Sequence, residues 1–112
     1  MTDCLFCRIV AREVPATVVA EDELALAFRD IDPQAPTHVL VVPKVHAPDL
    51  AALAEIDPAA LAAVGRMVAA VAAQEGAESY RTVFNTGAGA GQTVWHAHAH
   101  VLAGRSMQWP PG

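Results

Sequence analysis

Apolar and polar positions repeat with two different periods along the chain, and the changes of period mark out the elements. Residues 3–12 (DCLFCRIVAR) set Leu5, Phe6, Ile9 and Val10 at helical spacing behind Asp3, a capping residue type, so a short N-terminal helix is expected. Residues 17–20 and 24–29 read as extended, with the polar Glu21-Asp22-Glu23 turning one into the other. The loop from Asp30 to Pro36, with Pro33 and Pro36, ends that pairing, and the β-branched run 38–42, closed by Pro43, makes a third strand. From Asp57 the period becomes helical: Asp57 caps, Pro58 takes the first position, Leu61, Val64, Val68 and Val71 share one face, and Gly76 stops the helix. Residues 81–85 and 93–102 read as two further strands, separated by the glycine-rich stretch 86–91. The order β-β-β-α-β-β behind a short helix predicts an α+β fold: about five strands in a mainly antiparallel sheet, with one long helix.

At 112 residues the chain is expected to form a single domain, residues 1–112, with 54% hydrophobic and 17% charged residues. Twenty-four of the apolar residues are Ala, against three Phe, two Trp and one Tyr, so each helix position buries little area and a partner subunit is a natural source of further burial. A net charge of -5 has the wrong sign for holding a nucleic acid by phosphate neutralisation, although one pocket can still take a small phosphate ester. The start, Met1-Thr2-Asp3-Cys4, has neither the basic residues nor the apolar run of a secretory signal, and no stretch suits a membrane span, so a cytoplasmic location is expected. In a reducing compartment the pair Cys4-x-x-Cys7 suggests metal ligands, redox thiols or plain small residues before a disulfide.

Three of the five histidines lie in Trp95-His96-Ala97-His98-Ala99-His100-Val101. On a strand, His96, His98 and His100 project to one face while the small residues between them pack on the other, which puts three imidazoles in one site. Such a row suits a solvated edge, a metal cluster, or a nucleophile assembly in which a neutral imidazole attacks phosphorus. The neighbouring Gly89-Ala90-Gly91-Gln92-Thr93 has the composition of an anion cradle, with amides left uncovered by bulky side chains and one hydroxyl, which favours the third possibility for the middle histidine.

These residues resemble the histidine triad (HIT) family, whose signature His-x-His-x-His followed by two apolar residues is met by His96 to Leu102. Phe28-Arg29-Asp30-Ile31, Pro36-Thr37-His38-Val39-Leu40-Val41-Val42-Pro43-Lys44, Gly91-Gln92-Thr93-Val94 and Trp109-Pro110-Pro111-Gly112 extend the likeness to the Hint branch, the purine nucleoside phosphoramidases. The resemblance implies a HIT-like fold and hydrolysis of adenosine 5′-phosphoramidates to AMP and amine, with His98 as the nucleophile and a covalent nucleotidyl-histidine intermediate. It further implies that His100 and His38 lie around the phosphate and that Asn85, Gly91 and Thr93 contact its oxygens, with Gln92, Val94 and Trp109 in the same matched segments. Asp30 would accept the ribose hydroxyls, and Phe6, Ile9, Phe28 and Ile31 would line the base slot. Cys4 and Cys7 would join His46 and His96 around a structural zinc, as in bacterial members; no organic cofactor is implied, and a homodimer is.

Three alternatives stay open at the level of sequence. One is a dinucleoside polyphosphate hydrolase of another HIT branch. Another is a nucleotide-binding regulatory module whose turnover is incidental. The third is a zinc-dependent hydrolase with His96, His98 and His100 as ligands.

Overall fold

The computed structural model describes residues 3–112, and Met1 and Thr2 of the expected domain lie outside the described residues. Helix α1 (Leu5–Val10) is followed by strands β1 (Val18–Glu21), β2 (Ala25–Arg29) and β3 (Thr37–Pro43), helices α2 (Leu50–Ile56) and α3 (Pro58–Gln74), strand β4 (Arg81–Val83), a single 3₁₀ turn at Ala88–Ala90, and strand β5 (Ala99–Ala103). The strands form one sheet in the order β1-β2-β3-β5-β4, every neighbouring pair antiparallel. The expected α+β class with a five-stranded antiparallel sheet is what the chain adopts.

Alternation along the strands divides the buried residues between two faces. Ala25, Ala27, Val39, Val41, Ala99 and Val101 pack against Ala63, Val64, Met67, Val68 and Val71 of α3. Leu26, Phe28, Leu40 and Val42 face the other way and meet Phe6 and Ile9 of α1. His38 and His100 share the parity of Leu40 across the β3–β5 register, so both stand on the α1 face.

Local chemistry sets the helix ends. Asp57 Oδ1 accepts from the Ala60 N–H at 3.1 Å and caps α3. Past Glu75, Gly76 takes φ 74 while Gly76 N–H reaches the Ala73 carbonyl and Ala77 N–H the Ala72 carbonyl, a left-handed stop of the Schellman kind. At α1 the cap is Cys4, not Asp3: its sulfur accepts from the Cys7 N–H.

Two expectations need correction. Helix α2 was not foreseen; Asp49 caps it by accepting from the Ala52 N–H at 2.9 Å, and Leu53 is fully buried among Ala47, Ala60 and Ala97. Replacing Leu53 with Ala is expected to lower unfolding stability by about 2 to 5 kcal/mol in urea titrations, since this Ala-rich cluster has little capacity to collapse onto the void.

The expected strand 93–102 begins only at Ala99. Its register pairs Val41 with Ala99, which would next place Val42 opposite His98 and Pro43 opposite Ala97. Pro43 has no N–H to donate, so the ladder ends there, and the Ala97 N–H turns instead to the Ala47 carbonyl at 2.7 Å. The three histidines therefore do not project from one strand. The strand expected over 81–85 likewise stops at Val83.

Candidate active site

Leaving the ladder at Ala99 lets the triad face two ways. His96 is fully buried, and its Nε2–H donates to the Pro43 carbonyl at 2.8 Å. That bond places its lone pair on Nδ1, which lies 3.4 Å from Cys4 Sγ, 3.5 Å from Cys7 Sγ and 3.2 Å from His46 Nδ1. Cys7 Sγ is 3.4 Å from His46 Nδ1. Tetrahedral bonds of about 2.3 Å to sulfur and about 2.0 Å to nitrogen give sulfur–nitrogen edges of roughly 3.5 Å and nitrogen–nitrogen edges of roughly 3.3 Å, so these four separations already suit one such ion, and all four ligand atoms lie within 4.8 Å of one another. The carbonyl behind His96 supplies the outer-shell partner usual for a ligating histidine.

Burial first, then the hydrogen bond and charge of Cys4, push the Cys7 thiol up to about 11, a cost that a cation at the centre reverses. Burial likewise lowers His96 from its ordinary value, against the pull of its bond to Pro43. A neutral imidazole is the form that ligates.

His98 faces away from this cluster. Its Nδ1–H donates to the His96 carbonyl at 2.8 Å, which leaves the Nε2 lone pair unspent. Among the described residues no buried side-chain nitrogen or oxygen lacks a partner, so this atom is open to solvent although the residue is only 7% exposed. Burial lowers the His98 pKa, opposed by the His96 carbonyl and the Asp30 charge, and the ring is neutral at pH 7. Phe6 contacts both rings nearly at right angles, with ring centroids 5.0 Å from His98 and 6.0 Å from His96.

Beside His98, at 5.0 Å between centroids, His100 pairs with His38. The Gln34 backbone N–H donates to His38 Nδ1 at 3.0 Å, so the neutral His38 carries its proton on Nε2 and donates it to His100 Nδ1 at 2.9 Å. His100 in turn keeps its proton on Nε2. Asp30 Oδ2 lies 3.5 Å from His38 Nε2, and Asp30 Oδ1 accepts from the Asp32 N–H at 2.8 Å. Asp30, His38 and His100 have the composition of a second metal cluster. The donor at Gln34 decides otherwise: with Nδ1 already accepting, His38 Nε2 offers a proton and no lone pair.

Burial, then the neighbouring His98 and His38, drive the His100 pKa down to about 4, against the Asp30 charge. The unfolded chain takes up this proton near pH 6.5 and the folded one only near 4, so the contribution is complete above about pH 6.5 and is lost as the pH falls towards 4. Between those limits the wild type is expected to lose about 1 to 2 kcal/mol more stability than His100→Gln, once partial exposure is discounted. Urea midpoints of both proteins at pH 7 and pH 4.5 check it, and parallel losses would refute it.

Phe6, Ile9 and Phe28 are buried on the α1 face, next to the half-buried Val94. Ile31 and Trp109 stand almost entirely in solvent, and Asn85 is half-buried just after β4. Thr93 is exposed, and Gly91 adopts φ 94 at the end of the 3₁₀ turn.

Gln92 is buried and fully committed: its Oε1 accepts from the Gly87 N–H, and its Nε2 donates to the Pro48 and Val94 carbonyls. Backbone N–H groups of Ala90, Gly91 and Gln92 are also spent inside the loop, so its glycine content overstates its capacity to cradle an anion. A cleft of about 580 Å³, lined by Asp3, Cys4, Leu5, His46, Thr93, Val94 and Trp95, borders the sulfur–imidazole cluster rather than His98. No helix is long and apolar enough to cross a membrane among the described residues. The Asp30–His38 and Gln34–His38 contacts were not foreseen, because no spacing in the sequence reports which loop atoms meet a strand-end ring.

The HIT domain family model matches residues 11–107. The chain belongs to the HIT family. A solved HIT family hydrolase of Legionella pneumophila superposes with a TM-score of 0.91 at 50% identity, covering 97% of this chain and 99% of that one. The 14 kDa zinc-binding protein of Zea mays is 48% identical over 96% of this chain and 87% of its own length. Adenylylsulfatase HINT1 of Arabidopsis thaliana is 45% identical over 96% of this chain and 76% of its own. As a HIT protein, the chain is a relative of nucleotide hydrolases, and its free imidazole beside a hydrogen-bonded histidine pair is in keeping with that chemistry.

Proposed function

We propose that this HIT protein is a purine nucleoside phosphoramidase that hydrolyses adenosine 5′-phosphoramidates to AMP and amine through a nucleotidyl group carried on His98. The observation that carries this reading is the His98 ring itself: neutral, tethered at Nδ1 by the His96 carbonyl, and open at Nε2. Nε2 attacks the α-phosphorus of a phosphoramidate protonated on nitrogen, the P–N bond breaks, and the amine leaves with that electron pair. Water then attacks phosphorus, AMP departs, and the remaining proton goes to solvent. The Nε2–H of His100, held by its bond from His38, donates to the phosphoryl oxygens as charge builds there. Asp30 accepts the ribose hydroxyls in this reading, and Thr93 and Asn85 contact the phosphate, while the Gly91 N–H stays bonded to the Ala88 carbonyl.

A second electrophile follows from the name of the Arabidopsis relative, adenylylsulfatase, which breaks a phosphorus–oxygen–sulfur linkage at the same adenylyl phosphorus. Mass spectrometry of the protein with adenosine 5′-phosphoramidate or adenylyl sulfate, quenched in alkaline denaturant because acid cleaves a phosphorus–imidazole bond, should show one adenylyl adduct on a peptide containing His98. An adduct elsewhere, or turnover of neither compound, refutes the reading, and the ratio of kcat/KM ranks the leaving groups.

Cys4, Cys7, His46 and His96 hold one structural zinc in this reading, with no open position for substrate. A homodimer is proposed with it: β4 is a sheet edge with β5 on one side only, and Trp109 is 84% exposed.

A further inference from the structure

The His38–His100 pair depends on a loop that one side chain ties to the rest of the molecule. Between β2 and β3 the chain is knitted internally: Asp30 Oδ1 accepts from the Asp32 N–H, and Gln34 Nε2 donates to the Asp32 carbonyl at 3.0 Å. Outward, Gln34 makes two contacts. Its N–H donates to His38 Nδ1 at 3.0 Å, and its carbonyl accepts from Arg105 Nε at 2.8 Å. Arg105 is itself braced, because its second nitrogen donates to the Ser106 carbonyl at 3.1 Å. Gly104 before it has φ 93, and a Cβ there would sit 2.9 Å from Pro36 Cβ, so the segment after β5 is seated directly against the loop.

We propose that Arg105 is a positioning residue for the histidine pair: by holding the Gln34 carbonyl it fixes the backbone N–H that keeps the His38 proton on Nε2, facing His100. An imidazole has two neutral tautomers of similar energy, and one directed donor is enough to choose between them. With the other tautomer, His38 Nε2 has no proton for His100 Nδ1, and His100 is free to turn its own proton away from phosphorus. Arg105 touches neither ring. It acts through one residue, Gln34, whose N–H and carbonyl lie in adjoining peptide units, and its guanidinium donates at Nε and a terminal nitrogen at once, a pairing that a lysine ammonium reproduces only in part.

The proposal about tautomers stands apart from substrate, whereas its effect on rate rests on the phosphoramidase reading, and two measurements separate them. Nitrogen-15 spectra of the full-length protein read each ring nitrogen directly. In the wild type His38 Nδ1 should resonate as an unprotonated nitrogen and Nε2 as a protonated one. Arg105→Ala should move both towards averaged positions, Arg105→Lys should recover part of the difference, and Gln34→Pro, which deletes the donating N–H while leaving the carbonyl for Arg105, should give a shift at least as large.

With adenosine 5′-phosphoramidate, Arg105→Ala should lower kcat about three- to tenfold with KM within about twofold, the size expected for one charge-assisted hydrogen bond at an exposed position. Wild-type nitrogen shifts in Arg105→Ala overturn the proposal, whatever happens to rate, and so does a shift in Gln34→Pro alone. Shifted tautomers in a protein that turns over no phosphoramidate uphold the positioning role and reject the substrate.

Discussion

His98→Ala is expected to lower phosphoramidate hydrolysis by at least about a thousandfold while the fold persists, a loss of about 4 kcal/mol of transition-state stabilisation. The ring has both a fixed tautomer and a lone pair turned away from the sulfur–imidazole cluster: Nδ1 is tied to the His96 carbonyl and Nε2 is open. Truncation removes the nucleophile and leaves the His38–His100 bond in place, so binding of AMP should change far less than turnover. Steady-state kinetics with AMP affinity measured on the same preparation checks both halves. Turnover within tenfold of wild type would mean that water attacks phosphorus directly, with His98 serving only as a wall.

The second large effect concerns the metal. Zinc bound by Cys4, Cys7, His46 and His96 is expected at about one ion per chain, and Cys7→Ser should lose most of it. Free zinc at about a thousand times its dissociation constant stabilises the folded state by about 4 kcal/mol, so chelation should lower the thermal midpoint by about 15 °C. Turnover below that midpoint should fall no more than about tenfold, because a closed four-ligand site has no position for substrate. Abolished hydrolysis in chelated but folded protein would place the ion in the chemistry, and an unchanged midpoint would remove the structural role.

The long helix and the first three strands are legible because their signals are local: Asp57 and Pro58 open α3, the spacing of Leu61, Val64, Val68 and Val71 gives its face, and Asp22 accepts from both the Leu24 and Ala25 N–H groups to make the first hairpin turn. Helix α2 had a usable start signal in Asp49, obscured by a short Ala-rich run with little amphipathic contrast. The misread strand is more instructive. Strict alternation of His with small residues from 96 to 100 is a period-two pattern, yet a strand needs a partner with donors, and here the partner ended in Pro43. Sequence thus singled out the three histidines but placed them on one face, whereas the structure turns His96 towards Cys4 and Cys7 and His98 away from them. Contacts made by a loop amide, such as Gln34 to His38, leave no trace in residue spacing.

Because the Phe6 ring stands nearly perpendicular to those of both His96 and His98, at 6.0 and 5.0 Å between centroids, its circulating electrons shift the proton resonances of both imidazoles, each by an amount set by distance and by position relative to the Phe6 plane. One aromatic side chain therefore gives two separately readable signals. A single proton spectrum recorded during titration would distinguish the arrival of a metal from the arrival of a nucleotide, without a label on either.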